Sequence, residues 1–112
     1  MLITKPPYGL EEAFAGLRLG LAMSVNGMKT SVLMLEDGVY NAVGSQRPDA
    51  VAMPSNVEAT KELYDFEVPV YVVKEDLESR GIDESALFEG LKVVPASKAK
   101  ELLAEHDVVT TF

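Results

Sequence analysis

Thr30-Ser31-Val32-Leu33-Met34-Leu35, followed at once by Glu36-Asp37-Gly38, is the stretch on which the fold turns. A short apolar run bounded by turn residues reads as a strand covered on both faces. It discharges into an acidic turn, then one apolar helical turn (Val39, Ala42, Val43), then a polar knot at Gln46, Arg47 and Asp49. Open α/β sheets place their sites in the loops that leave the strands in this way.

Working outward, the same alternation repeats on both sides. Upstream, Met1-Leu2-Ile3-Thr4 is a short strand that runs into Lys5-Pro6-Pro7-Tyr8-Gly9, where the prolines forbid both helix and ladder. Leu10, Ala13, Phe14, Leu17 and Leu21 then fall on one helical face, and Asn26-Gly27 is a left-handed stop. Downstream, Ser55 and Glu58 form a capping-box pattern for a helix reaching about Phe66. Val68 to Val73 is the third strand, with Pro69 expected at its entry because a central position would lose a donor. Lys74 to Arg80 is a short helix or helical turn closed by Gly81, and Asp83 is expected to cap a second short helix running through Phe88. Leu91 to Pro95 is the fourth strand. Ser97 is expected to cap a last helix with Ala99, Leu102 and Leu103 inward, and Asp107 to Phe112 is the fifth strand.

Strands alternating with helices over short connections predict a single α/β domain over residues 1–112, with a parallel sheet and helices on both faces. Right-handed crossovers would gather the loops that follow the strands on one rim. That rim would hold Pro6 to Gly9 (with Tyr8), Glu36 to Tyr40 (with Asp37 and Gly38), Lys74 to Asp76 and Ala96-Ser97.

Composition narrows the chemistry. A net charge of −8 argues against a surface that grips nucleic acid directly, because phosphate contacts need Lys and Arg. The chain has no cysteine, which removes disulfides, thiolate nucleophiles and thiolate metal ligands together. It has no apolar run near the roughly 18 residues of a membrane span, and no charged-then-apolar leader. Neither a G-x-G-x-x-G turn nor a Walker lysine pattern occurs. His106, the single histidine, reads as a helix-terminus residue rather than a ligand or a base, since no companion histidine exists.

Glu36-Asp37 at a strand end has the chemistry of a cation ligand or a general base. The structural alternative is a turn in which Asp37 satisfies backbone amides and Gly38 supplies a positive φ. An acid–base role for Asp37 or Glu75 lacks a second catalytic group. Gln46-Arg47-Pro48-Asp49 reads either as a loop ion pair or as an interface element stiffened by proline. Tyr8 and Tyr40 flank the rim either as partly exposed anchors or packed on the first helix.

Four segments carry a family resemblance, in order along nearly the whole chain. They are Lys5 to Gly9; Asp37-Gly38-Val39-Tyr40 running to Gln46-Arg47-Pro48-Asp49-Ala50-Val51; Asp76 to Asp83; and His106 to Phe112. The second and third are the specific ones. The chain resembles the DsrE/DsrF-like proteins, and among them the DsrF/TusC type of subunit. The resemblance implies a three-layer α/β/α fold with a five-stranded parallel sheet ordered 4-3-2-1-5. It also implies a cytoplasmic oligomer, formed with itself or with DsrE/TusD-like and DsrH/TusB-like subunits.

In such sulfur-relay complexes a cysteine just after the third strand, ahead of an Arg-Gly pair, accepts persulfide sulfur. The relay serves tRNA 2-thiouridine synthesis or sulfur oxidation. Here that place reads Val73-Lys74-Glu75-Asp76, ahead of Arg80-Gly81 and without a thiol. Persulfide transfer needs a nucleophilic sulfur. The expectation is therefore a non-catalytic subunit without cofactor or metal, whose contact residues are Tyr8, Gly9, Asp37, Gly38, Tyr40, Gln46, Arg47 and Asp49. The alternative is a stand-alone homo-oligomer that binds a small ligand with the loops after strands one and two.

Overall fold

A computed structural model describes residues 2–4, 12–43, 56–106 and 109–111. The elements in order are β1 (Leu2–Ile3), α1 (Glu12–Val25), β2 (Val32–Met34), a 3₁₀ segment (Glu36–Ala42), α2 (Asn56–Tyr64), β3 (Val70–Val73) and α3 (Lys74–Ser79). A one-turn 3₁₀ helix (Glu84–Ala86), β4 (Lys92–Val94) and α4 (Ala96–Ala104) complete them.

The strands form a parallel sheet in the order β1-β2-β3-β4. Register places Leu2, Leu33, Tyr71 and Lys92 in one row across it. Among the described residues the sheet therefore has four strands rather than the expected five. The C-terminal segment contributes one parallel bridge, Thr111 to Leu2, on the free side of β1, with the Leu2 N–H donating to the Thr110 carbonyl at 2.7 Å. Residues 107, 108 and 112 of the expected fifth strand lie outside the described residues.

Alternation along the strands divides the apolar side chains between the two faces. Ile3, Val32, Met34, Val70 and Val72 are fully buried against Leu17 of α1, Leu63 of α2 and Val39 and Ala42 of the 3₁₀ segment. Leu33 and Val73 point the other way, onto Ala99 of α4, with Leu2, Leu35 and Tyr71 beside them. Every residue of β2 is buried, as its unbroken apolar run predicts. Removing a core side chain of this kind, Leu63→Ala for instance, carries a typical cost of about 2–5 kcal/mol.

The local stop signals act through hydrogen bonds. Gly27, at φ 83°, ends α1: its N–H donates to the Ser24 carbonyl and that of Met28 to the Met23 carbonyl. Gly81, at φ 67°, closes α3 in the same way through Glu78 and Leu77. After α2 the same pattern recurs at Glu67, at φ 59°, where glycine would be the usual residue. Asp83 caps the one-turn helix, accepting the Ser85 N–H at 3.0 Å. Pro69 stands just ahead of β3, and its carbonyl accepts the Val32 N–H at 3.0 Å.

One expected cap does not form. Ser97 lies inside α4, whose N-cap position is Pro95, and no N-cap side chain bonds there. The role passes to Glu75, whose two carboxylate oxygens stand 3.1 and 3.0 Å from the Ala96 nitrogen and accept its N–H. Of the last helix's predicted inward residues, Ala99 is buried and Leu102 and Leu103 are half-buried.

Candidate functional site

β2 and β3 both end on the rim where the chemistry was expected, and the chain there is held by backbone contacts. As β2 ends, the Leu35 N–H donates to the Ile3 carbonyl at 3.1 Å. Glu36 then takes a left-handed conformation, φ 53°, which turns the chain into the 3₁₀ segment. The positive φ thus belongs to Glu36 and not, as expected, to Gly38. Gly38 is required for a different reason. It is pressed so closely on β1 that an added Cβ would overlap the Ile3 carbonyl.

Beyond Gly38 the segment is anchored from inside. Val39 and Ala42 enter the core, and the wholly buried Asn41 donates from Nδ2 to the Gly38 carbonyl at 2.9 Å. Val43 forms an antiparallel bridge with Leu87, and the Phe88 N–H donates to the Ala42 carbonyl at 3.2 Å. Tyr40 remains 37% exposed, a large aromatic side chain presented on an otherwise fixed segment.

α3 begins directly after β3, and its acidic first turn is committed to holding neighbouring elements. Asp76 Oδ2 accepts the Glu36 N–H at 2.8 Å, which supports the left-handed turn. Arg80, one helical turn on, donates from Nε to Asp37 Oδ1 at 3.0 Å, and its Nη1 stands 3.7 Å from Asp76 Oδ1. Arg80 Nη1 also donates to the Asp76 carbonyl at 3.3 Å and to Ser79 Oγ at 3.0 Å. One guanidinium therefore ties the turn after β2 to α3, while Glu75 ties α3 to α4.

The polar groups of this arrangement hold neighbouring elements together. Asp37 faces a guanidinium instead of satisfying local amides, and no group of three or more His, Asp or Glu suited to a metal ion occurs among the described residues. The α3 start carries Lys74, Glu75 and Asp76, and the chain has no cysteine. Of the expected contact residues, Asp37, Gly38 and Tyr40 share the 3₁₀ segment. Tyr8, Gly9, Gln46, Arg47 and Asp49 lie outside the described residues.

Three residues that organise the rim were not expected to do so: Glu75, Asp76 and Arg80. The i, i+4 spacing of Asp76 and Arg80 was a legible sign of pairing. Their reach to Asp37 and Glu36 depends on how β2 and β3 are brought together. His106 is, as expected, a helix-terminus residue, with its Nδ1–H donating to the Leu102 carbonyl at 2.7 Å. No helix among the described residues is long and apolar enough to cross a membrane.

Comparison with known proteins agrees with the architecture. A family model described as the DsrE/DsrF-like family matches residues 1–112. The uncharacterized protein MJ0989 of Methanocaldococcus jannaschii is 33% identical over 112 residues, covering 100% of this chain and 96% of that protein. The intracellular sulfur oxidation protein DsrF of Allochromatium vinosum is 29% identical, covering 96% and 90% respectively. Protein TusC of Escherichia coli is 31% identical, covering 95% and 91%. Among solved structures, the ychN protein from E. coli superposes with a TM-score of 0.87 at 24% identity, covering 99% of this chain and 96% of that one. That likeness concerns the fold.

Proposed function

The chain belongs to the DsrE/DsrF-like family, and from that membership we propose that it is a non-catalytic subunit of a cytoplasmic sulfur-relay complex. In this reading a cysteine-bearing DsrE/TusD-like partner carries the persulfide, and a DsrH/TusB-like subunit completes the assembly. The sulfur passes toward tRNA thiolation or sulfur oxidation, without this chain touching nucleic acid.

One observation carries the proposal. At the start of α3, Glu75, Asp76 and Arg80 bind Ala96, Glu36 and Asp37, and the chain contains no thiol. Sulfur transfer requires a thiolate at the point of attack. A site whose polar groups are already used to fasten three elements suits a supporting subunit. Likeness to proteins named DsrF and TusC agrees with this role.

The contact surface would be the segment from Gly38 to Asp49, with Tyr8 and Gly9 beside it. Tyr40 supplies an exposed aromatic anchor on a rigid base, a residue type favoured at interface hot spots. The whole chain would act as one domain whose C-terminal segment, already bridged to Leu2, completes a sheet ordered 4-3-2-1-5.

A reconstituted relay tests this reading. Labelled persulfide is supplied to the cysteine-bearing partner, and its delivery to the next acceptor is timed with and without this chain. Delivery should need the chain, and Tyr40→Ala should weaken assembly by about tenfold, as loss of an aromatic anchor does. Equal delivery in its absence would reject the proposal.

A further inference from the structure

α1 is followed by Asn26-Gly27, a pair of residues chemically prone to losing the asparagine side-chain amide. The reason is steric. The attacking atom is the backbone nitrogen of the next residue, and glycine puts no side chain in its path. Of the three asparagines, Asn41 precedes Ala42 and Asn56 precedes Val57, so Asn26 alone has this neighbour. Both residues of the pair are exposed, and a Cβ placed on Gly27 would meet nothing beyond its chain neighbours within 4 Å. Water therefore reaches the pair freely.

We propose that Asn26-Gly27 is a deamidation site that the folded end of α1 holds inactive. Three bonds do the holding. Asn26 Nδ2 donates back to the Ala22 carbonyl at 2.8 Å, which turns the carboxamide along the helix and away from Gly27. The Asn26 N–H donates to the same carbonyl at 3.2 Å and keeps the residue in helical register. The Gly27 N–H donates to the Ser24 carbonyl at 3.0 Å, so the proton that must leave the nucleophile is already engaged. All three bonds belong to one helix end, where opening costs least free energy.

Once that end opens, hydroxide removes the Gly27 amide proton and the nitrogen attacks Asn26 Cγ. The bond from Cγ to Nδ2 breaks, Nδ2 takes a proton from water, and ammonia departs to leave a succinimide ring. Water then opens the ring at either carbonyl, giving aspartate or isoaspartate. The net change is one water consumed and one ammonia released, with no oxidation or reduction. The product does not rebuild the stop. Aspartate has no N–H for the Ala22 carbonyl, and its charge stands at the negative end of the α1 macrodipole, where the last turn holds no basic residue. Isoaspartate lengthens the backbone by one carbon as well.

The test incubates the full chain in mildly alkaline buffer, folded and in guanidinium chloride, and follows the mass gain at each asparagine by peptide mapping. Isomerisation at Asp37-Gly38 changes no mass and does not enter this reading. In the unfolded chain Asn26 should convert faster than Asn41 and Asn56, and Gly27→Ala should slow it to the rate of Asn41. In the folded protein Asn26 should convert at least about tenfold more slowly than in the unfolded one. In Asn26→Asp the Gly27 and Met28 amides should exchange hydrogen about tenfold faster while those of β2 keep their rates, the effect of one lost bond and one adverse charge. Equal conversion of Asn26 in folded and unfolded protein would overturn the proposal, as would an unfolded Asn26 that reacts no faster than the other two. Unchanged amide exchange in Asn26→Asp would overturn the loss of the stop.

Discussion

At Gly38 the fold accepts hydrogen and nothing larger, because the Ile3 carbonyl occupies the space of a Cβ. Gly38→Ala must push β1 and the 3₁₀ segment apart, and should lower stability by about 2–3 kcal/mol, read from the urea midpoint. Glu67 poses the reverse problem: a side chain held at φ 59° in a place that suits glycine. Glu67→Gly should raise the midpoint by the equivalent of about 0.5–1 kcal/mol, the left-handed strain relieved less the entropy added to the unfolded chain.

Tyr64 gives a pH signature. Its hydroxyl donates to the Glu89 carbonyl at 3.1 Å, and burial pushes its pKa from 10.0 up to about 12. Because the folded form resists ionisation, Tyr64 favours the fold fully below pH 10 and loses that contribution as pH rises toward about 12. Tyr64→Phe should cost about 1 kcal/mol at neutral pH and make the decline across the alkaline window shallower, measured by denaturation at stepped pH.

Among elements, the telling contacts join α3 to its neighbours. Glu75→Gln removes the charge from the bond to Ala96 and should weaken the α4 N-terminus by about 0.5–1.5 kcal/mol, seen as faster hydrogen exchange at the first α4 amides. Asp37→Asn breaks a partly exposed pair with Arg80, whose loss should cost less than about 1 kcal/mol.

The difference between these contacts and the terminal signals explains what the sequence could disclose. Gly27, Gly81 and Asp83 were legible because each acts on backbone groups within a few residues. The strands were legible because Val32 to Met34 and Val70 to Val73 keep apolar side chains on both faces. Ser97 misled because the N-terminus of α4 is served by a carboxylate from another helix. Gly38 was recognised as a needed glycine for the wrong reason, since close approach to β1 exists only after the sheet assembles. Arg80 reaching Asp37 is a similar case: their meeting is a property of β2 and β3 side by side.

For the whole molecule, the parallel order of β1 to β4 puts the turn after β2 beside the start of α3. Carboxylates and a guanidinium fasten that junction, which in the function proposed above is the place where a cysteine-bearing partner would carry the sulfur. The candidate contact segment is correspondingly rigid at its root and carries Tyr40 outward. Native mass spectrometry of the protein isolated, at native abundance, from its own cells tests the supporting role directly. The expected result is a stable hetero-oligomer that includes a subunit with a cysteine just after its third strand. Recovery of this chain only as a monomer or self-assembled oligomer would contradict it.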